Sequence, residues 1–293
     1  MKQSSAFRSL MSSSNIIVAP GAYDGITARL VEHAGFPAVY MTGAGTAATL
    51  GYPDFGLVTM TEMVANAATL ARSVNIPVIA DADTGYGNEL NVTRTVREYE
   101  SRGVAGIHIE DQVAPKRCGH LDGKEIIPAD EFVAKIRAAV AARRDSDFVI
   151  IARTDARAVA GFDEAIARAN AAMAAGADMA FVEAVQTMDE LKGVPKQVKG
   201  ACLLNVVRGG KTPDVDFATA QEMGYKLAIL PSLLIVAATE AYASVLRTVK
   251  ETNAPPSSAG SMPVSERFRR LGSDEWTALA TKFRDASVAR AAE

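Results

Sequence analysis

The sequence predicts a (βα)8 barrel of the TIM type with an additional C-terminal helical segment, and three observations carry that prediction. Eight short runs rich in β-branched residues alternate with longer, Ala-rich amphipathic stretches between residues 16 and 251, the pattern of a parallel sheet built from βα units. Several amphipathic stretches end in glycine just before the next apolar run, as in EHAG, ESRG and QEMG, where a helix C-cap belongs. Polar or ionisable residues close six consecutive strands, from the second to the seventh, and in such a barrel the strand C-termini share one mouth.

The strands expected, in order, are IIVAPGAY (16–23), PAVYMTG (37–43), IPVIADAD (76–83), VAGIHIED (104–111), DFVIIARTD (147–155), DMAFVEA (178–184), GACLLNV (200–206) and YKLAILP (225–231). Each is a short run enriched in Val, Ile, Leu or aromatic residues, with turn-forming residues nearby. Helices are expected over 24–35, 59–74, 91–103, 129–144, 162–177, 187–198, 216–224 and 232–251. No GxGxxG follows the first strand, so a dinucleotide-binding sheet has no support. APPSSAGSMP (254–263) reads as a linker by composition, and the remaining residues have apolar positions at helical spacing. The expected organisation is a catalytic barrel over 1–253 and a linker with helical extension over 254–293.

Charge and cysteine usage exclude several classes. With 31 basic and 34 acidic residues spread along the chain, neither a nucleic-acid surface nor a polybasic membrane patch is expected. Two cysteines 84 positions apart form neither a disulfide framework nor a zinc motif, which fits a reducing compartment. The N-terminal segment lacks an apolar stretch long enough for a signal peptide, and LAILPSLLIVAAT is short and broken by Pro231. A soluble, cytoplasmic protein is expected.

The strand ends deliver Tyr40 and Thr42, Asp81 and Asp83, His108, Glu110 and Asp111, Arg153, Glu183 and Asn205. Alternation puts Asp81 and Asp83 on one face, and two like charges so close need a cation or a shared proton. With Glu110 and with Asp54 of GYPDFG they make an oxygen-rich set suited to Mg2+; the alternative is that Asp83 caps the next helix. Small residues in Thr42-Gly43-Ala44-Gly45 would let backbone N–H groups approach a carboxylate. Arg153 could fork to a substrate carboxylate or pair with Glu183 or Asp155. Cys202, inside a strand, reads as core, and His33 as surface. EDQVAPKRCGH (110–120) places Cys118 beside Lys116, Arg117 and His120, and positive neighbours are expected to lower a thiol pKa.

PAVYMTGAG, LGYPDFG, PVIADADTGYG, GIHIEDQVAPKRCGH, VIIARTDA, FVEA and NVVRGGKTP stand in that order over roughly residues 7–245. Together they resemble the isocitrate lyase and phosphoenolpyruvate mutase superfamily, and KRCGH is similar to its lyase branch, where the cysteine lies on a mobile gating loop. The resemblance implies a Mg2+-dependent barrel (Mn2+ substituting) and a homotetramer, a dimer of dimers with exchanged C-terminal helices. It implies Asp83 as direct metal ligand, with Asp81, Asp54 and Glu110 holding metal-bound waters. Thr42, Gly43, Ala44 and Arg153 would cradle the oxo-acid half of the substrate, with His108 and Gly119 lining the pocket. Glu183, Asn205 and Arg208 would face the other half. Cys118, tuned by Lys116, Arg117 and His120, would protonate the carbanion left by C–C cleavage. Tyr40 would handle the hydroxyl proton.

The chain departs from methylisocitrate lyases in three places: Ala44 replaces a third glycine, SLLIV lacks an arginine, and Arg208 stands where an acid is usual. These departures imply a rearranged distal pocket and favour a hydroxydicarboxylate such as dimethylmalate over a tricarboxylate. A carboxyphosphonoenolpyruvate-type phosphonomutase is the alternative, with Arg208 and Lys211 as extra cationic contacts; oxaloacetate decarboxylation or hydrolysis is another. A Schiff-base aldolase is disfavoured because Lys226, the lysine among the strands, stands at a strand start.

Overall fold

In the computed structural model, which describes residues 2–256 and 262–291, eight strands close into a barrel in sequence order, each parallel to its neighbours. The first half runs α1 (Gln3–Ser12), β1 (Ile17–Ala22), α2 (Gly25–His33), β2 (Val39–Met41), α3 (Gly43–Thr49), α4 (Met60–Ser73), β3 (Val78–Asp81), α5 (Glu89–Ser101), β4 (Gly106–Glu110) and α6 (Ala129–Ala142). The second runs β5 (Val149–Thr154), α7 (Ala156–Val159), α8 (Phe162–Ala174), β6 (Met179–Val182), α9 (Met188–Gln197), β7 (Ala201–Asn205), α10 (Phe217–Met223), β8 (Leu227–Leu230) and α11 (Leu233–Thr252). Two further helices, α12 (Val264–Arg269) and α13 (Ser273–Ala291), follow. All eight expected strands and all eight expected barrel helices are present.

Local sequence sets the helix boundaries. Capping boxes start α2 (Asp24 with Thr27), α4 (Thr59 with Glu62) and α5 (Asn88 with Asn91), satisfying main-chain N–H groups that a first turn otherwise leaves open. Gly224 closes α10 at φ +103°, a left-handed conformation that glycine adopts without a steric penalty.

The core has two faces. Inside the barrel, one cluster joins Ile17, Tyr40, Ile79, Ile151, Phe181 and Ile229 with residues from the other strands; outside, Val39, Val78, Ile107 and Ile109 pack with the helices. The helix α1, which lay outside the expected elements, contributes Phe7, fully buried, to the interior cluster. Arg8 fixes α1 by donating to the main-chain oxygens of Asp147 and Phe148 and pairing with Asp178 at 2.8 Å. These partners precede or begin strands, so α1 closes the N-terminal end of the barrel, opposite the mouth. Lys226 is anchored at that end too, donating to the main-chain oxygens of Ser13 and Asn15. Phe7→Ala is expected to destabilise the protein by about 3–5 kcal/mol, read as a lower urea midpoint; a loss below about 1 kcal/mol would mean that α1 contributes no core.

The chain divides into two compact units, one up to Val236 and one from Ala237 onward, a boundary inside α11. In the second unit no described side chain of α12 is buried, and Tyr242, Leu246, Phe268, Trp276 and Phe283 are exposed. The expected linker falls partly, at 257–261, outside the described residues. Among the described residues, no helix is long and apolar enough to cross a membrane.

Candidate active site

Strand alternation assembles the site. The inward positions of β3 to β7 that begin with Ile79, Gly106, Val149, Met179 and Ala201 continue at period two into Asp81, His108 and Glu110, Arg153, Glu183 and Asn205. The barrel interior therefore changes from hydrocarbon to polar groups as it nears the mouth. Asp81, His108, Glu110, Arg153 and Glu183 are all buried there.

Asp83 does not cap a helix, because Asn88 caps α5. Its φ of +45° turns the chain back, and its N–H donates to Asp81 Oδ1 at 2.9 Å. The Lys116 ammonium, itself buried, lies 3.0 Å from Asp83 Oδ1 and in direct contact with Asp54 Oδ1. Burial opposes its charge, but Asp83, Asp54 and Glu110 outweigh it and hold Lys116 protonated. Burial pushes the Asp83 carboxyl up to about 6 and raises Glu110 well above the usual carboxylate range. Asp81 goes the other way: burial opposes ionisation, and His108, Lys116 and Arg153 overcome it. Asp83 Oδ1 and Glu110 Oε2 are buried and paired with Lys116 at 3.0 Å and Arg153 at 3.1 Å, and Glu110 Oε1 is buried without a hydrogen-bond partner. Among the described residues, no three His, Cys, Asp or Glu side chains converge as direct ligands of one ion.

Arg153 takes the ion-pair option. It forks to Asp155 at 2.9 and 3.2 Å, reaches Glu110 at 3.1 Å and Glu183 at 3.5 Å, and lies over the Phe181 ring at 5.1 Å. For Asp155, burial opposes ionisation, but Arg153 and Lys124 bring its pKa to about 2. Glu183 accepts from Asn205 Nδ2 at 3.1 Å and faces His120 Nε2 at 3.3 Å. The Lys211 N–H donates to His120 Nδ1 at 3.1 Å, so the neutral ring carries its proton on Nε2, toward Glu183. Burial lowers the His120 pKa and favours that neutral form.

The loop bearing Cys118 is seated on this floor. Gly119 lies so close that a Cβ would come 2.5 Å from Glu183 Cγ and 2.6 Å from Arg153 Nη2. Lys124 donates to the Gly119 carbonyl and to Asp155 Oδ1, the latter at 3.0 Å. Gln112 holds Arg117 from both sides of its backbone, at 2.9 Å each. The expected tuning of Cys118 by cationic neighbours is overturned: burial raises its pKa, and the His120 N–H offsets only part of that rise. Lys116 points into the acid cluster, and Arg117 is exposed over the Phe55 ring at 5.9 Å. Cys118 is therefore a protonated thiol at neutral pH.

Tyr40 and His108 form a second buried pair. Their hydroxyl and Nε2 are 2.8 Å apart, their rings stack with centroids 5.8 Å apart, and the Tyr40 hydroxyl also donates to Asp81 Oδ2 at 3.5 Å. Burial and Asp81 raise the phenol well above its usual pKa, so Tyr40 is a proton donor or relay and no free base. Burial lowers His108 from 6.5 to about 4. Its folded pKa is depressed, so its contribution to stability is present above pH 6.5 and lost as the pH falls toward 4. In EDTA, wild type is expected to lose about 2–3 kcal/mol more than His108→Gln between pH 7.5 and 4.5. Asp83 and Glu110, whose raised pKa values act in the opposite sense, are common to both proteins and drop out of the difference; equal losses would contradict the assignment.

Other expected residues are not brought together. Asp111 faces the outside of the barrel, accepting from Thr154 Oγ1 at 2.6 Å, the Asp155 N–H at 2.8 Å and Arg168 at 3.2 Å. Ala44 is exposed on α3, and Arg208 is exposed on the loop after β7. Thr42 is buried and caps α3 by accepting from the Gly45 N–H at 3.2 Å, so TGAG is a helix start where a glycine loop was expected. Asp155 was expected only as a possible partner of Arg153, and Lys124 and Gln112 were missed, because nothing local signals those two.

Residues 7–250 match the family described as phosphoenolpyruvate phosphomutase. A 2,3-dimethylmalate lyase from Eubacterium barkeri is 46% identical over 272 residues, covering 92% of this chain and 94% of that protein. A 2-methylisocitrate lyase from Aeropyrum pernix is 42% identical over 244 residues, covering 83% of this chain and 79% of that protein. The crystal structure of a 2,3-dimethylmalate lyase superposes with a TM-score of 0.92 at 42% identity, covering 96% of this chain and 95% of that one. A shared barrel and identity at this level over nearly the whole length have one explanation: the chain belongs to the phosphoenolpyruvate mutase/isocitrate lyase superfamily.

Proposed function

We propose that the protein is a Mg2+-dependent carbon–carbon lyase that cleaves a 2-alkylmalate, with 2,3-dimethylmalate as the leading substrate, into a 2-oxo acid and a carboxylate. The observation that carries this reading is the cluster of buried acids Asp81, Asp83 and Glu110, in which Glu110 Oε1 has no hydrogen-bond partner, set between Lys116 and Arg153 under the Cys118 loop. These carboxylate oxygens are hard donors of the class Mg2+ prefers, and a buried carboxylate oxygen without a partner calls for one. Asp83 would hold the ion directly, and Asp81, Asp54 and Glu110 would hold it through water, an arrangement that needs no three direct protein ligands. When bound, it supplies polarisation of the C2 oxygen and charge stabilisation there.

The chain's own residues account for the rest. Arg153, fixed by Asp155, offers its other edge to a substrate carboxylate in exchange for Glu110 and Glu183. The substrate hydroxyl gives up its proton as its O–H electrons form the C2 carbonyl, and Tyr40 can take that proton while passing its own to His108 Nε2. The C2–C3 electron pair moves to C3 and spreads onto the adjoining carboxylate as an enediolate. Cys118, a protonated thiol on the covering loop, donates to C3, and solvent restores its proton once the loop opens. Gly119 and Lys124 seat that loop and exclude water during cleavage.

A dicarboxylate is favoured over a tricarboxylate because Arg208, the substitute cation suggested by the sequence, is exposed on its loop. The name of the Eubacterium barkeri relative agrees. The test is 2-oxo-acid release from a panel of 2,3-dimethylmalate, other 2-alkylmalates, methylisocitrate, isocitrate and oxaloacetate. Turnover should be highest on 2,3-dimethylmalate and abolished by EDTA. Faster turnover of methylisocitrate would refute the substrate, and EDTA-resistant turnover would refute the metal. Two free cysteines fit a cytoplasmic protein. Exposed Trp276 and Phe283 on α13 support a tetramer with exchanged C-terminal helices, which sedimentation would reveal as a species of four chains.

A further inference from the structure

We infer that the end of the barrel opposite the mouth carries a second ligand site, a basic groove that takes a nucleotide or a coenzyme built on one. The site is independent of the reaction proposed above. A groove of about 580 Å³ lies where the start of α1 meets the loops that lead into β4 and β5. Lys2, Arg72, Arg97, Arg102 and Arg144 line it, over a floor that includes buried Val104 and Phe148. That volume suits a small organic molecule.

Two acids, Glu100 and Asp145, share the lining, and both are already engaged. Glu100 accepts from the main-chain N–H groups of Arg144, at 2.9 Å, and of Asp145. Asp145 accepts from Lys2 at 3.1 Å, from Ser4 at 3.0 Å and from the Asp147 N–H at 3.0 Å. The arginines are not matched in this way. Among the described residues, the Arg97 and Arg144 side chains have no hydrogen-bond or ion-pair partner. Arg72 reaches Thr69 Oγ1 at 3.0 Å, and Arg102 reaches Glu98 at only 3.8 Å. Five cations against two occupied carboxylates concentrate positive charge in a chain whose net charge is −3. Such a groove attracts anions, and guanidinium forks match the oxygens of a phosphate in pairs.

A neighbouring cavity decides what the phosphate is attached to. It has a volume of about 400 Å³, shares Arg72 and Arg102 with the groove, and adds Arg94. Met60, Val64 and Ala68 of α4 give it an apolar strip. The two cavities together offer arginines for a polyphosphate and a hydrocarbon surface for a less polar group joined to it. Inorganic phosphate or a small carboxylate would leave that strip bare, whereas a nucleotide would cover it.

The probe is ADP, titrated by calorimetry in Mg2+ buffer into wild type and the double variant Arg97→Gln/Arg144→Gln. Wild type should bind with a Kd below about 1 mM, and the variant at least about tenfold more weakly, as the loss of charged hydrogen bonds requires. Both side chains are exposed, so the urea midpoint of the variant should match that of wild type. A second measurement needs only wild type: pyrophosphate should displace ADP, but bind at least about tenfold more weakly because it lacks the apolar part. No ADP binding to wild type overturns the inference. So does ADP binding that the variant retains, which would place ADP at the mouth. Pyrophosphate that binds as tightly as ADP overturns the nucleotide and leaves a simple anion site.

Discussion

Cys118→Ser is expected to lower turnover of 2,3-dimethylmalate by about 10²–10⁴-fold, the contribution typical of a positioned general acid, with little change in KM. Serine keeps the size of the side chain but its hydroxyl is a far weaker acid than a thiol. The loop should still close, because its anchors lie elsewhere: Gln112 on Arg117, Lys124 on Gly119, and Lys116 on Asp54 and Asp83. The variant thus removes the proton and leaves the cover. Steady-state kinetics on the pure variant decide the matter: kcat within a few-fold of wild type would move the acid to another group. A rise in KM with unchanged kcat would make Cys118 a binding residue.

Asp111→Ala is expected to destabilise the fold by about 3–5 kcal/mol, the cost of leaving a buried charge without its partner. The Asp111 side chain is fully buried and joins three elements, taking hydrogen bonds from Thr154 and the Asp155 N–H after β5 and from Arg168 of α8. Alanine leaves the buried Arg168 guanidinium with Glu164 and a main-chain oxygen, and leaves the Asp155 N–H unpaired. Because Asp155 holds Arg153, activity should fall with stability. Denaturant midpoints on wild type and variant test it; a change below about 1 kcal/mol would show that Arg168 and the loop re-pair without Asp111.

Asp111 also marks how far the sequence could be read. Eight strands were legible because β-branched runs bounded by turn residues leave little choice, and alternation inside them placed Asp81, Glu110, Arg153, Glu183 and Asn205 on one inner face. The same period two, counted once more from Glu110, would have turned Asp111 outward. Adjacency in sequence misled at Cys118: Lys116 and Arg117 flank it in the chain yet send their charges elsewhere, so burial decides the thiol. Besides the single turn of α7, two helices stayed hidden for different reasons. The first, QSSAFRSLMS, is serine-rich and held by one aromatic side chain whose partners lie far along the chain. The other begins TGAG, where glycines argue against helix, and its small residues instead allow close packing under Asp81. Lys124 has no local signature, because its acceptors, the Gly119 carbonyl and Asp155, meet only after folding.

The plug formed by α1 bears on the order in which the molecule can mature. Phe7 belongs to a helix made before any of the eight strands, yet the cluster that receives it includes Leu227 and Ile229 of β8. On a ribosome, where chains emerge from the N-terminus, this helix must wait through the synthesis of some two hundred residues before its resting place exists. Until then it is an amphipathic segment with an unburied aromatic, open to chaperones. Its docking is accordingly a late event, and it reports that the ring of strands has closed.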